Sequence, residues 1–325
     1  MARRRLAIDD ATRNKDLSGK VYIVTGANSG VGLETTRQLV KQGGHVVLAC
    51  RRPDAGEEAA ATMTELKGST EVMKMDLADL QSVRDFVKTF EAKHDRLDGL
   101  ACNAGMVNMG NTPSYTKDGH ETTIGVSYFG HFLLTELLLD TLKKSAPSRM
   151  AIVSSVVHAG NPKKRPTLDV NDLNWKGRKF NGLTCYGEAK LATTLYAKEL
   201  GERLKDTGVT AASIHPGWAR SNLGRGGSFG QRVMLGIAMP MANTFGWTDS
   251  NEEGAQTTLH VLLSDDAAEH NGAYFSQSSV LYRDKGCKDG GWPLESPNPN
   301  AHDMDTARKL VDVTSELVGI ARPTA

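Results

Sequence analysis

Short apolar runs alternate with helix-period segments along almost the whole chain. The runs are VYIVT from Val21, HVVLAC from His45, EVMKM from Glu71, LDGLAC from Leu97, RMAIVSS from Arg149, VTAASI from Val209 and AYFS from Ala273. Their length and their β-branched content predict strands. Between them, LETTRQLVKQ, LQSVRDFVKTFEAK and HFLLTELLLDTLKK repeat apolar residues every three or four positions, which gathers those residues on one helical face. Strands in regular alternation with helices predict right-handed β-α-β crossovers and a doubly wound, mostly parallel α/β sheet with helices on both faces. No repeat or linker interrupts the alternation, so residues 20–325 read as a single domain behind a lead-in over residues 1–19. Two stretches resist the pattern, HAGNPKKRPTLDVNDLNWKGRKFNG and NLGRGGSFGQRVMLGIAMPMANTFGW. Insertions of that length in a compact domain are usually functional loops.

Composition removes several classes. With 24% charged residues and a net charge of +1, the chain has no field to gather nucleic acid or an acidic membrane surface. The lead-in MARRRLAIDDATRNKDLSGK carries arginines but no apolar run, so neither a signal peptide nor a transmembrane anchor is expected, only a partly ordered basic segment. Cys50, Cys102, Cys185 and Cys287 lie far apart and form no C-x-x-C pair, which predicts no disulfide framework and no metal site and suits a reducing, cytoplasmic setting.

The first strand runs into TGANSGVGLE, with Gly26, Gly30 and Gly32 at the turn into a helix. Glycines there permit close approach of a pyrophosphate to the free amides and positive dipole end of the helix, so Gly26, Asn28, Ser29, Gly30, Val31 and Gly32 are candidate dinucleotide contacts. The spacing is G-x-x-x-G-x-G, not G-x-G-x-x-G. The second strand ends in LACRRPDAG, with Arg51 and Arg52 where an NAD site usually places an acid for the ribose 2′-hydroxyl. Two guanidiniums suit a 2′-phosphate, so the expected cofactor is NADP(H). Asp76 and Leu77 close the third strand, and Asn103, Ala104 and Gly105 close the fourth, on the edge where open α/β sheets bind ligands.

In LTCYGEAKLATTLYAKEL, Tyr186 stands four residues before Lys190, on the same helical face. A cation so placed is expected to stabilise a phenolate and to lower the phenol pKa from ~10 toward working pH, making Tyr186 a general acid or base.

The ordered set TGANSGVG, CNAG, IVSS, YGEAK and HPG resembles the short-chain dehydrogenase/reductase family from about Lys20 to the last helix. GHFLLTELLLDTLKKSAPSR, GVTAASIHPGWARSNL and EEGAQTTLH are most similar to its retinol-dehydrogenase branch, itself similar to the light-dependent protochlorophyllide reductases. The resemblance implies a Rossmann-type fold in which Tyr186 donates or accepts the proton. Lys190 lowers its pKa and holds the nicotinamide ribose, Ser155 binds the substrate oxygen, Ser154 is a packing or turn residue, Pro216 and Gly217 lie beside the nicotinamide, and Ser221 lies near the carboxamide or the phosphates. Where most relatives have an asparagine that holds a relay water, this chain has Ser127, which implies a retained relay with altered water placement. The protochlorophyllide reductases have a cysteine at the position of Ala192, which counts against their photochemistry. Cys185 reads as a neutral helix residue and His131 as a packing residue.

The segment after HPG offers Met234, Leu235, Ile237, Met239, Met241, Phe245 and Trp247 among glycines, and in the resembled family this region is a substrate lid, here about 221–250. Adaptable methionine-rich surface suits a lipophilic aldehyde, ketone or alcohol. The expectation is NADPH-dependent interconversion of a small apolar carbonyl and its alcohol. Photochemical protochlorophyllide reduction and non-catalytic NADPH sensing are the alternatives, and the oligomeric state stays open, a homo-oligomer included.

Overall fold

All seven apolar runs form strands in the computed structural model, which describes residues 5–219 and 248–323. They are β1 Val21–Thr25, β2 His45–Cys50, β3 Ser69–Lys74, β4 Gly99–Cys102, β5 Ser148–Val153, β6 Val209–His215 and β7 Tyr274–Ser276. β3 starts earlier and β4 later than the pattern suggests. They build one sheet in the order β3-β2-β1-β4-β5-β6-β7, every pair parallel. The chain winds outward from β1 to β3, then crosses back to β4. The connections leaving β1 and β4 therefore diverge and open a crevice at the C-terminal edge of the sheet.

The α-helices among the described residues are α1 Asp10–Arg13, α2 Gly30–Lys41, α3 Pro53–Ala61, α4 Leu80–Lys93, α5 Thr122–Ile124, α6 Gly130–Lys144, α7 Gly182–Arg203, α8 Asn251–Leu263, α9 Asp265–Ala268 and α10 Met304–Val318. Strand side chains alternate between two cores. Ile23 joins Phe90, Phe132, Leu195 and Leu310 under α4, α6, α7 and α10, while Val24 joins Leu39, Leu48 and Leu259 under α2 and α8. Both faces are buried, which is why β1 is apolar throughout instead of alternating. α3 was invisible to periodicity because it is short and alanine-rich; proline in its first turn and high alanine content make it helical.

The stretch Thr122–Lys144 is long and apolar enough to cross a membrane, yet 78% of its most apolar window is buried in the protein, as in a core helix. The lead-in packs on the domain. From Arg5 onward it is docked: Ile8 and Leu17 are buried, the Ile8 amide donates to Gln256 Oε1 at 3.2 Å, and Arg5 pairs with Glu253 at 3.0 Å. Its apolar side chains are spaced too irregularly to reveal this. The insertion before Tyr186 is pinned to α7 by Arg178, which donates two hydrogen bonds to Glu188 (2.9 and 2.7 Å) and covers the Trp175 ring at 3.8 Å.

Candidate active site

The turn between β1 and α2 is shaped by three glycines with different reasons. Gly30 has φ +61° and open space where a Cβ would stand, so nothing obstructs a ligand there. Gly26, at φ +65°, lies against the Ala104 side chain. At Gly32 a Cβ would come within 2.5 Å of Asn103 Nδ2 and 2.6 Å of the Gly26 carbonyl oxygen. Ser29, the N-cap of α2, makes no side-chain cap, which leaves first-turn amides around Gly30, Val31 and Gly32 for an anion. Gly32→Ala is expected to lower stability by about 1–3 kcal/mol through overpacking and to weaken nucleotide binding, measurable by thermal melts with and without cofactor.

Thr25, which closes β1, ties the turn to the next strand end. Its Oγ1 accepts from the Asn103 and Ala104 amides at 2.9 and 2.8 Å, while Asn103 Nδ2 donates to the Thr25 carbonyl at 2.9 Å. With its acceptor side occupied, Thr25 gives its own proton to His131 Nε2 at 2.8 Å. His131 then carries its proton on Nδ1, facing the Ser127 carbonyl at 3.4 Å. Burial drives the His131 pKa down to about 3, so it is a neutral positioning group, not an acid. Sequence reading missed Thr25; the available signal was a hydroxyl immediately before Gly26.

Asp76 Oδ1 accepts from the Ala78 amide at 3.0 Å, so it shapes its own turn at the edge of the crevice, and Leu77 is buried against Gly130. Arg51 and Arg52 are exposed after β2, and neither has an acidic partner among the described residues. Pro216 and Gly217 follow β6, Gly217 at φ +85°, and the next amide, Trp218, donates to Asp249 Oδ2 at 2.8 Å. Ser221 and the apolar lid residues Met234, Leu235, Ile237, Met239, Met241, Phe245 and Trp247 lie outside the described residues.

Asn181 caps α7, accepting from the Thr184 amide at 3.0 Å, and the helix then brings Tyr186 and Lys190 onto one face. Lys190 Nζ stands 5.8 Å from the Tyr186 ring centroid and donates to the Val153 carbonyl at 2.7 Å. No carboxylate pairs with this buried ammonium among the described residues, and burial lowers its pKa to about 8. Ser155, just past β5, hydrogen-bonds to the Tyr186 hydroxyl. Ser154 is turned away, donating to the Lys190 carbonyl at 2.9 Å. Ser127 sits in a π-helical turn, Gly125–Phe129, a distortion common at functional sites. A point beside Gly105 is 3.7 Å from Ser127 Oγ and 3.8 Å from Lys190 Nζ, so both groups face one small space.

One expectation fails. Burial pushes the Tyr186 phenol up to about 12, only partly offset by the Ser155 hydrogen bond, and Lys190 does not bring it down. A buried ammonium 5.8 Å from the ring and bound to a carbonyl does not outweigh the loss of water around the phenol. Without ligands Tyr186 is therefore a firmly protonated donor. Cys185 is likewise a neutral thiol, its pKa raised by burial and by Glu121, to which it donates at 3.1 Å.

Residues 20–165 match the family described as short chain dehydrogenase. Retinol dehydrogenase 13 of Homo sapiens is 36% identical over 319 residues, covering 95% of this chain and 87% of the relative. Retinol dehydrogenase 12 of Homo sapiens is 39% identical over 309 residues, with 94% and 89% covered. Among solved structures, an uncharacterised protein from Mycobacterium Paratuberculosis superposes with TM-score 0.74 at 29% identity, over 98% of this chain and all of that one. The RhlG protein of Pseudomonas aeruginosa, in an active-site complex with NADP, superposes with TM-score 0.63 at 19% identity, over 81% and 96%, which speaks for the fold alone. Relatives of this identity and coverage settle descent: the chain belongs to the short-chain dehydrogenase family, in its retinol-dehydrogenase-like branch, and is an oxidoreductase of alcohol and carbonyl groups that works with a nicotinamide cofactor.

Proposed function

We propose that the protein interconverts a lipophilic, retinoid-like aldehyde or ketone and its alcohol, with NADP(H) as cofactor and Tyr186 as the proton donor. The observation that carries this reading is the grouping of Ser155, Tyr186 and a buried Lys190, which has no carboxylate partner among the described residues, at the end of β5, beside the crevice formed where β1 and β4 diverge.

The cradle suits a dinucleotide phosphate: open space over Gly30, uncapped amides at α2 and two exposed guanidiniums at the end of β2 with no acidic partner among the described residues. Bound there, the nicotinamide would supply a hydride to a carbonyl carbon or take one from the alcohol. Everything else falls to the chain. Ser155 donates a hydrogen bond to the substrate oxygen as negative charge grows on it, and Tyr186 delivers the proton. The ammonium of Lys190 then opposes the new phenolate, and Ser127 offers a hydroxyl through which a proton can return from water. The names of the relatives support the retinoid-like class, and four buried free cysteines support a reducing compartment.

The test is a panel of apolar aldehydes and alcohols with each nicotinamide cofactor. Turnover is expected with NADPH in preference to NADH. Replacing Arg51 and Arg52 together by alanine should raise KM for NADPH about 100-fold, since each charge-assisted hydrogen bond is worth roughly 1.5–3 kcal/mol, and leave kcat and the NADH reaction nearly unchanged. Equal use of both cofactors by the unaltered protein would remove the assignment of these arginines.

A further inference from the structure

At the opposite edge of the sheet, three strong metal ligands converge that no part of the oxidoreductase chemistry uses. His45 opens β2, Glu71 lies on the edge strand β3, and His94 ends α4. One ligand atom from each lies within 4.8 Å of the others. We propose that His45, Glu71 and His94 form a binding site for a borderline divalent transition metal such as Zn2+, which ties the edge strand to α4.

The donor set is two imidazoles and a carboxylate, the combination that suits zinc, cobalt or nickel and not calcium or magnesium. His94 Nε2 and His45 Nε2 stand 2.9 and 3.8 Å from the same oxygen, Glu71 Oε2. Ligand atoms around a tetrahedral zinc are roughly 3.3 Å apart, so these separations bracket what the ion requires. His45 supplies an independent sign. Its Nδ1 is bonded to Ser69 Oγ at 2.7 Å, the outer partner that fixes a ligating imidazole, while Nε2 is buried and lacks a hydrogen bond among the described residues. All three side chains keep 16–28% of their surface, which leaves an entry path and room for a water as fourth ligand. Lys93 now donates to the other oxygen of Glu71, holding charge where a metal would sit. Cysteine spacing could not reveal this site, because its ligands come from three separate elements.

A metal here would act on the fold and not on turnover, since β2 separates His45 from Arg51 by about 20 Å of extended chain. The experiment titrates the full chain, stripped with a chelator and dialysed, with Zn2+ against a chromophoric competitor, with Co2+ absorption as the geometric readout. One equivalent should bind, give the intense visible bands of low-coordinate cobalt and raise the thermal midpoint without changing kcat. His45→Ala and His94→Ala should each cost more than about tenfold in affinity and Ser69→Ala roughly tenfold. Lys93→Met should bind severalfold tighter, an effect that misfolding cannot imitate. A Kd weaker than about 100 µM, or binding that survives the His45→Ala/His94→Ala double replacement, overturns the proposal.

Discussion

Tyr186→Phe will reduce turnover of every carbonyl the protein accepts by about 10³-fold, the middle of the range for a positioned general acid, with its thermal midpoint nearly unmoved. The expectation of so large a loss without unfolding rests on what the hydroxyl touches. Ser155 is the partner that bears on its titration, and that serine is partly exposed and accepts from the Val157 amide, so deletion strands no fully buried donor. With the phenol held near 12, the wild-type group is fully protonated across the neutral range and gives up its proton only when the substrate oxygen becomes strongly basic. The measurement is the rate of reduced-nicotinamide consumption, with cofactor affinity determined separately. Wild-type protein that binds nucleotide but turns nothing over would favour a non-catalytic nucleotide-sensing role; a phenylalanine variant that keeps most of its activity would move the proton donor elsewhere.

Much of this arrangement was legible in the chain, for identifiable physical reasons. A strand buried on both faces is largely apolar, so β1 and β2 declare themselves, and β6 does so through its Val, Ala and Ile positions even though it buries Thr210, Ser213 and His215. Gly26 and Gly30 declare themselves because their positive φ favours glycine, and Gly32 because a Cβ there would strike Asn103 and the Gly26 carbonyl. What stayed hidden depends on partners remote in sequence. The Thr25 and His131 lock joins residues more than a hundred positions apart, and His45, Glu71 and His94 come together only when β2, β3 and α4 pack. The phenol's acidity was misjudged for the same reason: helical spacing reveals that a cation is near, but not how deeply the rest of the fold buries both groups.

Lys190 shows how the same burial sets stability against function. Its pKa falls from 10.5 unfolded to about 8 folded, so the folded protein releases this proton first. Below about pH 8 both states are charged and folding bears the cost of the buried ammonium, roughly 3 kcal/mol at 1.36 kcal/mol per unit. Between about 8 and 10.5 the unfolded chain binds more protons, so stability contributed at this site rises with pH, and above 10.5 the penalty is gone. Lys190→Met removes the charge but also the hydrogen bond to the Val153 carbonyl, which returns about 1–3 kcal/mol of cost. The variant should therefore be as stable as wild type or more so at pH 7, and lose the upward trend between pH 8 and 10. Its activity moves the other way, falling by about 10²-fold or more, because nothing then opposes the phenolate or returns its proton. In the wild-type protein, kcat/KM for carbonyl reduction should decline as pH passes 8, and in the variant that decline should vanish. Chemical denaturation across this pH range, run beside the rate profiles, separates the two roles. Wild-type stability that stays flat from pH 8 to 10, together with a variant of unaltered pH profile, would mean that the amine is neither a buried cation nor part of the proton path.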